Sequence, residues 1–213
     1  GASYTSDFSP DFEHQSASAI RYLIKKSDFS AFDYIPENAK NTMITAFNNR
    51  EFPCDEDKLS AAEAIFRAVE ISDEFRGAGC VALFCAMHDE VPTHDTLLRW
   101  RDMGKRVVVP RVEGDIMRFY DYSPEAMIIG AFGIEEPVGG CEVEASAIDL
   151  IIVPARAFTG EGVRLGRGGG FYDKYMSLAT FRAFKIGVAF ECQMFDSLPC
   201  DQHDILVDRV VWA

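Results

Sequence analysis

Hydrophobic positions along the chain follow two periods, and the change from one period to the other predicts an α/β protein. From about residue 60, continuous apolar runs of strand length are separated by segments whose apolar residues recur at helical spacing. These patterns predict helices over 59–69, 94–102 and 171–179, and strands over 80–87, 105–111, 118–122, 148–154 and 185–189. The strand over 118–122 is expected to be antiparallel or to lie at an edge. Because strands linked through helices pair in parallel, we predict a mostly parallel sheet of at least five strands between two helical layers, a three-layer α/β/α sandwich.

Composition and charge narrow the class of protein. A chain of 213 residues with 48% hydrophobic residues is long enough for one α/β domain with a sizeable core. The net charge of -13 disfavours binding to nucleic acid or to an anionic membrane surface. The apolar runs are too short to cross a bilayer and no secretory signal pattern opens the chain, so we predict a cytoplasmic protein. The six cysteines form no Cys-x-x-Cys pair and the four histidines lack metal-ligand spacing, so we expect free thiols and no zinc site.

The segment RLGRGGGFYDKY, residues 164–175, has the composition of an anion-binding loop. It follows the predicted strand over 148–154 and runs into a predicted helix that begins near Phe171. Its glycines allow positive φ and a close approach of the backbone to a ligand, while free N–H groups at a helix start attract negative charge. The segment matches neither the P-loop nor the dinucleotide-binding pattern, and a flexible glycine turn without a ligand is the alternative. We expect phosphate as the ligand, at the carboxyl ends of the strands.

Charged side chains in the same segment strengthen the expectation of a nucleotide. Arg164 and Arg167 would add charge-assisted hydrogen bonds to phosphate oxygens. Asp173 would hold the Mg²⁺ ion that accompanies a nucleotide, with helix capping as its alternative role.

Five further stretches accompany the glycine-rich segment: FCAMHDEVPTHDTLLRW, GKRVVVPRV, FGIEEP, DLIIVPARAF and LPCDQHDILVD. Together they resemble the 5-formyltetrahydrofolate cyclo-ligase family, also called methenyltetrahydrofolate synthetases, over about residues 60–208. The resemblance implies a Rossmann-like α/β/α fold. It also implies conversion of 5-formyltetrahydrofolate to 5,10-methenyltetrahydrofolate with ATP as co-substrate and Mg²⁺ as cofactor, releasing ADP and phosphate.

Two other functions compete with that enzyme. One is a protein of the family's shape that binds folate or a nucleotide with little or no turnover. The other is a sugar-phosphate isomerase or an acyl-CoA transferase on a similar sheet, which would leave the glycine-rich segment unexplained.

The resemblance also implies roles for individual residues. The ATP phosphates are expected to contact Arg164, Gly166, Arg167, Gly168, Gly169, Gly170, Phe171 and Tyr172, of which Arg167 and Tyr172 are assigned to catalysis. Mg²⁺ is expected on Asp173 and Asp204, and the pterin ring of the folate on Glu90. The wall of the folate pocket is assigned to Cys85, Met87, Phe132 and Tyr172. Without the resemblance, Glu90 would be read as a solvated loop acid, Asp204 as a turn residue, and Cys85 and Met87 as core residues.

The front of the chain departs from the family's usual pattern, a short helix similar to Lys-x-x-Leu-Arg that reaches the ATP phosphates. Lys40 lies near the expected register and is predicted to bind ATP, but Ile44 stands where an arginine is expected. Either Lys40 and Arg50 supply the missing contacts, or Arg21 folds back to do so, or ATP is bound more weakly. We therefore expect an atypical extension over 1–36, one cyclo-ligase-like domain over 37–213, and a monomer or weak homodimer.

Overall fold

A computed structural model of the chain describes residues 53–130 and 133–213. The α-helices are α1 (Asp55–Glu70), α2 (Asp73–Gly77), α3 (His94–Asp102) and α4 (Phe171–Met176). The strands are β1 (Cys80–Ala82), β2 (Arg106–Glu113), β3 (Ile116–Asp121), β4 (Met127–Ile129), β5 (Glu135–Pro137), β6 (Glu142–Val143), β7 (Leu150–Val153), β8 (Ala157–Phe158), β9 (Arg164–Leu165), β10 (Phe184–Ala189) and β11 (Arg209–Trp212). Lys40, Phe132 and the expected boundary between 36 and 37 lie outside the described residues.

Seven strands form the central sheet in the order β11-β10-β7-β1-β2-β3-β6. The four pairs from β11 to β2 are parallel, whereas β3 runs antiparallel to both β2 and β6. The predicted mostly parallel sheet is confirmed, and so is the antiparallel direction of the strand near 118–122. The C-terminal strand β11 and the short strand β6 were not predicted.

Two apolar cores lie on opposite faces of this sheet. Successive residues of a strand point to opposite faces, so Val81 packs into one core and Ala82 into the other. Apolar residues of α1, α2 and α3 fill the first core, where Trp100 is fully buried. Residues of α4, including Tyr175, pack into the second core. The layers are therefore helix, sheet and helix, as predicted.

The first predicted strand is shorter than its apolar run. β1 ends at Ala82, although the next three residues stay buried. Leu83 N–H still donates to Val108 O of β2 at 2.9 Å, but further along the backbone bonds to side chains: Ala86 N–H donates to Thr93 Oγ1 at 3.1 Å, and Met87 N–H donates to Glu90 Oε2 at 2.9 Å. The prediction of a strand to residue 87 was wrong because these local bonds compete with the sheet.

Two other predicted boundaries were also wrong. The strand over 105–111 continues to Glu113 and includes Pro110, which is tolerated because β1 pairs with β2 only over 106–108. The helix expected over 171–179 ends at Met176, where Ser177 N–H donates to Asp173 O and the Ser177 hydroxyl donates to Lys174 O.

Gly187 in β10 is required by the core packing. A Cβ atom at this position would collide with the ring of Phe158, which is fully buried. We expect Gly187→Ala to lower the free energy of unfolding by about 1–3 kcal/mol, the usual cost of an overpacked core. In contrast, a Cβ at Gly77 meets no described atom within 4 Å, so Gly77→Ala is expected to change it by less than about 1 kcal/mol. Urea unfolding of both variants measures this, and equal values would contradict the packing argument.

Candidate active site

A cavity of about 410 Å³ opens at the carboxyl ends of β1, β2 and β7. The chain passes from β1 to β2 in one direction along the sheet and from β7 to β10 in the other, so the cavity lies at the point where the strand order reverses. Open α/β sheets bind their ligands at such a point. The walls come from segments that follow β1 and β7, from β2 and β3, and from the glycine-rich segment: Phe84, Cys85, Met87, Glu90, Pro110, Val112, Met117, Pro154, Ala155, Arg164 and 166–173 are among them.

The structure brings nearly all predicted site residues to this one cavity. The lining includes three residues of the segment after β1 and nine of the glycine-rich segment: Cys85, Met87, Glu90, Arg164, Gly166, Arg167, Gly168, Gly169, Gly170, Phe171, Tyr172 and Asp173. Gly168 and Gly170 have φ angles of 90° and 64°, in the left-handed region that favours glycine. Gly170 directly precedes α4, so the glycines turn the chain from the cavity into that helix.

Glu90 is a buried carboxylate that is held from two directions. It is 8% exposed, its Oε2 accepts from Met87 N–H at 2.9 Å, and its Oε1 accepts from Arg167 Nε at 3.2 Å. Burial raises the pKa of the Glu90 carboxyl above its ordinary value, and the hydrogen bonds from Met87 and Arg167 only partly offset that rise. Glu90 is therefore a fixed, buried acceptor and not the solvated loop acid of the alternative interpretation.

Asp89 and Arg156 belong to the same charge cluster, and sequence reasoning missed both. Arg167 donates from Nη2 to Asp89 Oδ1, while Arg156 donates from Nη1 to Asp89 Oδ2. Burial by itself would raise the pKa of Asp89, but the hydrogen bond and charge of Arg167, together with the charge of Arg156, lower it below the ordinary value. Asp89 follows β1 and Arg156 follows β7, and the pairing of these two strands brings the two side chains together.

Arg164 is the most deeply buried arginine of the site. It is 4% exposed, and its Nη2 lies 2.6 Å from Asp173 Oδ1, which also accepts from Ile205 N–H at 3.0 Å. Its Nε is buried and has no hydrogen-bond partner among the described residues. A buried N–H group without an acceptor is costly, so Arg164 has a donor available for a bound anion.

Tyr172 and Cys85 contribute neutral groups. The Tyr172 ring centre lies 5.8 Å from the guanidinium carbon of Arg164. Burial, and secondly the charge of Glu90, raises the pKa of Tyr172, so its hydroxyl keeps its proton and can donate a hydrogen bond. Burial also raises the pKa of the Cys85 thiol to about 12, which makes it an apolar wall residue and not a nucleophile.

Comparison with known proteins identifies the family to which the chain belongs. The model of the 5-formyltetrahydrofolate cyclo-ligase family matches residues 45–213. The chain belongs to this family. Among relatives named 5-formyltetrahydrofolate cyclo-ligase, the Escherichia coli protein is 32% identical over 144 residues, which is 63% of this chain and 78% of the relative. The Mycolicibacterium smegmatis protein is 33% identical over 126 residues, or 55% of this chain and 63% of the relative.

Solved structures of the family agree with the fold. The 5,10-methenyltetrahydrofolate synthetase of Aquifex aeolicus has a TM-score of 0.67 and 36% sequence identity, over 75% of this chain and 81% of that chain. The Mycoplasma pneumoniae synthetase has a TM-score of 0.60 and 25% identity, over 75% of this chain and 88% of that chain. The Rossmann-like α/β fold expected for a cyclo-ligase is confirmed.

The two predicted Mg²⁺ ligands lie on adjacent segments, but only Asp173 lines the cavity. Asp204 Oδ2 accepts from Asp201 N–H at 2.9 Å, and the next residue, Ile205, bonds to Asp173. Within 53–130 and 133–213, no cluster of three or more His, Cys, Asp or Glu side chains is arranged to hold a metal ion. Mg²⁺ commonly binds through one or two carboxylates together with substrate phosphates, and the carboxylate of Asp173 at the cavity wall fits such a site.

A second cavity, of about 680 Å³, lies against the same 85–90 segment. The starts of α1 and α3 line it, through residues that include Lys58 and His94. Cys85, Met87 and Glu90 line both cavities, so the segment that carries Glu90 separates two spaces large enough for small molecules.

None of the helices in the described part of the chain is both long and apolar enough to cross a membrane.

Proposed function

We propose that this protein is an active 5-formyltetrahydrofolate cyclo-ligase, which uses ATP with Mg²⁺ to form 5,10-methenyltetrahydrofolate and releases ADP and phosphate. One observation carries the proposal: Arg167 of the glycine-rich segment contacts Glu90, so the residues expected for ATP and for folate meet in one cavity. A phosphoryl acceptor and its donor must be held this close for transfer to occur.

Glu90 recognises the pterin ring in this proposal. The amino-pyrimidine edge of a pterin presents two neighbouring N–H donors, and a carboxylate can accept both. Because Glu90 is buried and already fixed by Met87 N–H, its geometry is set before the folate binds. A buried acceptor of this kind rejects compounds that lack the matching donors, since they cannot pair with the remaining acceptor positions on its oxygens.

The glycine-rich segment and its arginines bind the triphosphate. The formyl oxygen attacks the γ-phosphorus, and the bond from that phosphorus to the bridging oxygen of ADP breaks. The neighbouring folate nitrogen, N10, then forms a C–N bond to the formyl carbon and loses its proton, while the bond from that carbon to the phosphorylated oxygen breaks and the oxygen leaves as phosphate. Arg167 neutralises charge on the transferring group, and the neutral Tyr172 hydroxyl orients the formyl oxygen by a hydrogen bond.

Asp173 and Asp204 are the residues that would hold Mg²⁺ beside the phosphates. When bound, the ion would supply neutralisation of phosphate charge. Asp173 is kept in place by Arg164 and by Ile205 N–H, which fixes the carboxylate at the cavity wall.

A cytoplasmic location and a monomeric or weakly dimeric state stay predictions of the sequence.

Lys40 is proposed to contact the triphosphate from the front of the chain. Lysine acts on phosphate as a point charge, so its removal is expected to affect ATP and not folate. We expect Lys40→Met to raise the KM for ATP about 10-fold and to leave the KM for 5-formyltetrahydrofolate within about 2-fold. Deletion of 1–36 is the comparison and should leave turnover nearly intact.

The opposite result is equally informative. If that deletion abolished turnover while Lys40→Met behaved like the parent, the phosphate contact would come from Arg21, Lys25 or Lys26. The proposed register of Lys40 would then be wrong.

An absorbance assay for methenyltetrahydrofolate tests the proposed function. The product is expected to accumulate with 5-formyltetrahydrofolate, ATP and Mg²⁺ together, with one phosphate released per product, and to stay absent when ATP or Mg²⁺ is omitted. Binding of either substrate without product would instead support a family member that binds folate or a nucleotide and has lost turnover.

A further inference from the structure

We propose that Arg156 is a positioning residue of this active site, which acts through Asp89 to hold Arg167 in its place between Asp89 and Glu90. Neither Arg156 nor Asp89 lines the cavity. The inference rests on the proposed function, because it concerns the arginine assigned there to phosphoryl transfer.

The backbone of Arg156 is fixed, so its side chain starts from a rigid point. Arg156 N–H donates to Leu165 O at 2.8 Å, and Arg156 O accepts from Gln193 Nε2 at 3.3 Å. Gln193 is itself buried and also donates to Ala155 O at 3.1 Å. The side chain of Arg156 therefore spans from a braced turn after β7 to the segment after β1.

Asp89 divides its two oxygens between two arginines. Oδ2 accepts from Arg156 and Oδ1 accepts from Arg167, and the Asp89 side chain is only 15% exposed. Because Arg156 competes for one oxygen, Asp89 contacts Arg167 through the other oxygen alone and not in the bidentate pair that a carboxylate and a guanidinium favour. Arg167 consequently keeps its Nε on Glu90, at 3.2 Å.

The cluster is balanced in charge when both carboxyl groups are ionised. Two arginines then face two carboxylates, and each of these side chains is largely withdrawn from water. Removal of Arg156 leaves one excess negative charge beside the expected phosphate position, and a partly buried charge without its partner is unfavourable. We expect Asp89 to draw Arg167 toward itself and away from Glu90 in that case.

Arg156→Met tests the inference through kcat, KM and pH together. Misplacement of a charge that acts in the transition state lowers kcat, so we expect a loss of about 10-fold, with each KM within about 3-fold of the parent. Arg156→Lys restores a cation that can reach one oxygen and is expected to recover kcat to within about 3-fold. Arg118→Met is the matched control, because Arg118 also pairs with two carboxylates, Glu113 and Glu142, and none of these three residues lines the cavity.

The pH profile separates positioning from a structural role. The titratable and charged groups near Glu90 are His88 and Asp89 on its own segment, Arg167 and Tyr172 on the facing segments, and Arg156 behind Asp89. Arg167 lowers the pKa of Glu90 and Asp89 raises it, so withdrawal of Arg167 raises that pKa. A carboxylate with a raised pKa ionises only at higher pH, and the acid limb of kcat/KM should move upward in Arg156→Met.

A double-mutant cycle with Asp89→Asn decides whether Arg156 acts through Asp89. In the Asp89→Asn background, Arg156→Met should lower kcat by no more than about 2-fold. Three results would each overturn the inference. The losses of kcat in the two single variants could multiply in the double variant, or the acid limb of kcat/KM could stay in place in Arg156→Met. The third is a loss of kcat in Arg118→Met that equals the loss in Arg156→Met. A parent protein without turnover would refute the proposed function instead. The double-mutant cycle would then be measured on the dissociation constant of ATP by calorimetry. The same coupling between Arg156 and Asp89 is expected there, and additive effects of the two substitutions would overturn the inference.

Discussion

Replacement of Glu90 by glutamine is expected to lower kcat/KM for 5-formyltetrahydrofolate by about 100-fold while the protein remains folded. The amide oxygen can still accept from Met87 N–H, but the NH₂ group then replaces an acceptor in a site built to receive donors. It also faces Arg167 Nε, where the carboxylate oxygen now accepts a hydrogen bond. Steady-state kinetics with varied folate measure the loss, and circular dichroism shows whether the fold is kept.

Glu74→Gln is the control for this substitution. Glu74 pairs with Arg209 and does not line the cavity, so its kcat/KM should stay within about 2-fold of the parent. If Glu90→Gln bound and converted the folate as well as the parent, Glu90 would have no part in pterin recognition and the substrate assignment would be wrong.

Arg167→Ala is expected to weaken ATP binding by about 1.5–3 kcal/mol, the usual contribution of a charge-assisted hydrogen bond. The loss has a second component, because Asp89 and Glu90 both lose a partner while they remain withdrawn from water. Arg167→Lys should not restore full affinity, since a single ammonium group lacks the planar fork that bridges both carboxylates. Calorimetric titration with ATP and Mg²⁺ measures both variants.

Arg182→Ala provides the comparison for Arg167→Ala. Arg182 is exposed and does not contribute to the cavity, so ATP affinity is expected to be unchanged. Equal ATP affinity in Arg167→Ala and the parent would remove the glycine-rich segment from the nucleotide site.

The fold was predictable where the pattern of residues is local and strong. The apolar run at 150–153 became a fully buried parallel strand, and 94–102 became a helix with the predicted bounds. The hydrophobic pattern gave the wrong strand end where side chains accept hydrogen bonds from backbone N–H groups. Residues 83–87 are as apolar as a strand, but Thr93 and Glu90 accept the N–H groups of Ala86 and Met87, and that competition depends on residues later in the chain.

In the candidate site, too, local motifs were predictable from the sequence and contacts between distant residues were not. The glycines and arginines of 164–175 and the position of Glu90 after β1 were readable as motifs, and the structure brings them together. The pair of Asp89 and Arg156 was not readable as a motif, because the two residues are distant in sequence and meet only through the adjacency of β1 and β7. The burial of Arg164 against Asp173 likewise depends on the packing of α4 and the segment at 205.

The central claim is that one cavity holds the folate on Glu90 and the triphosphate on the glycine-rich segment. A crystal structure of the protein with 5-formyltetrahydrofolate and a non-hydrolysable ATP analogue tests this most directly. We predict the amino-pyrimidine edge within hydrogen-bonding distance of the Glu90 carboxylate, and the terminal phosphate against 166–170 and Arg167. A pterin bound away from Glu90, or a triphosphate that makes no contact with 166–170, would contradict the account.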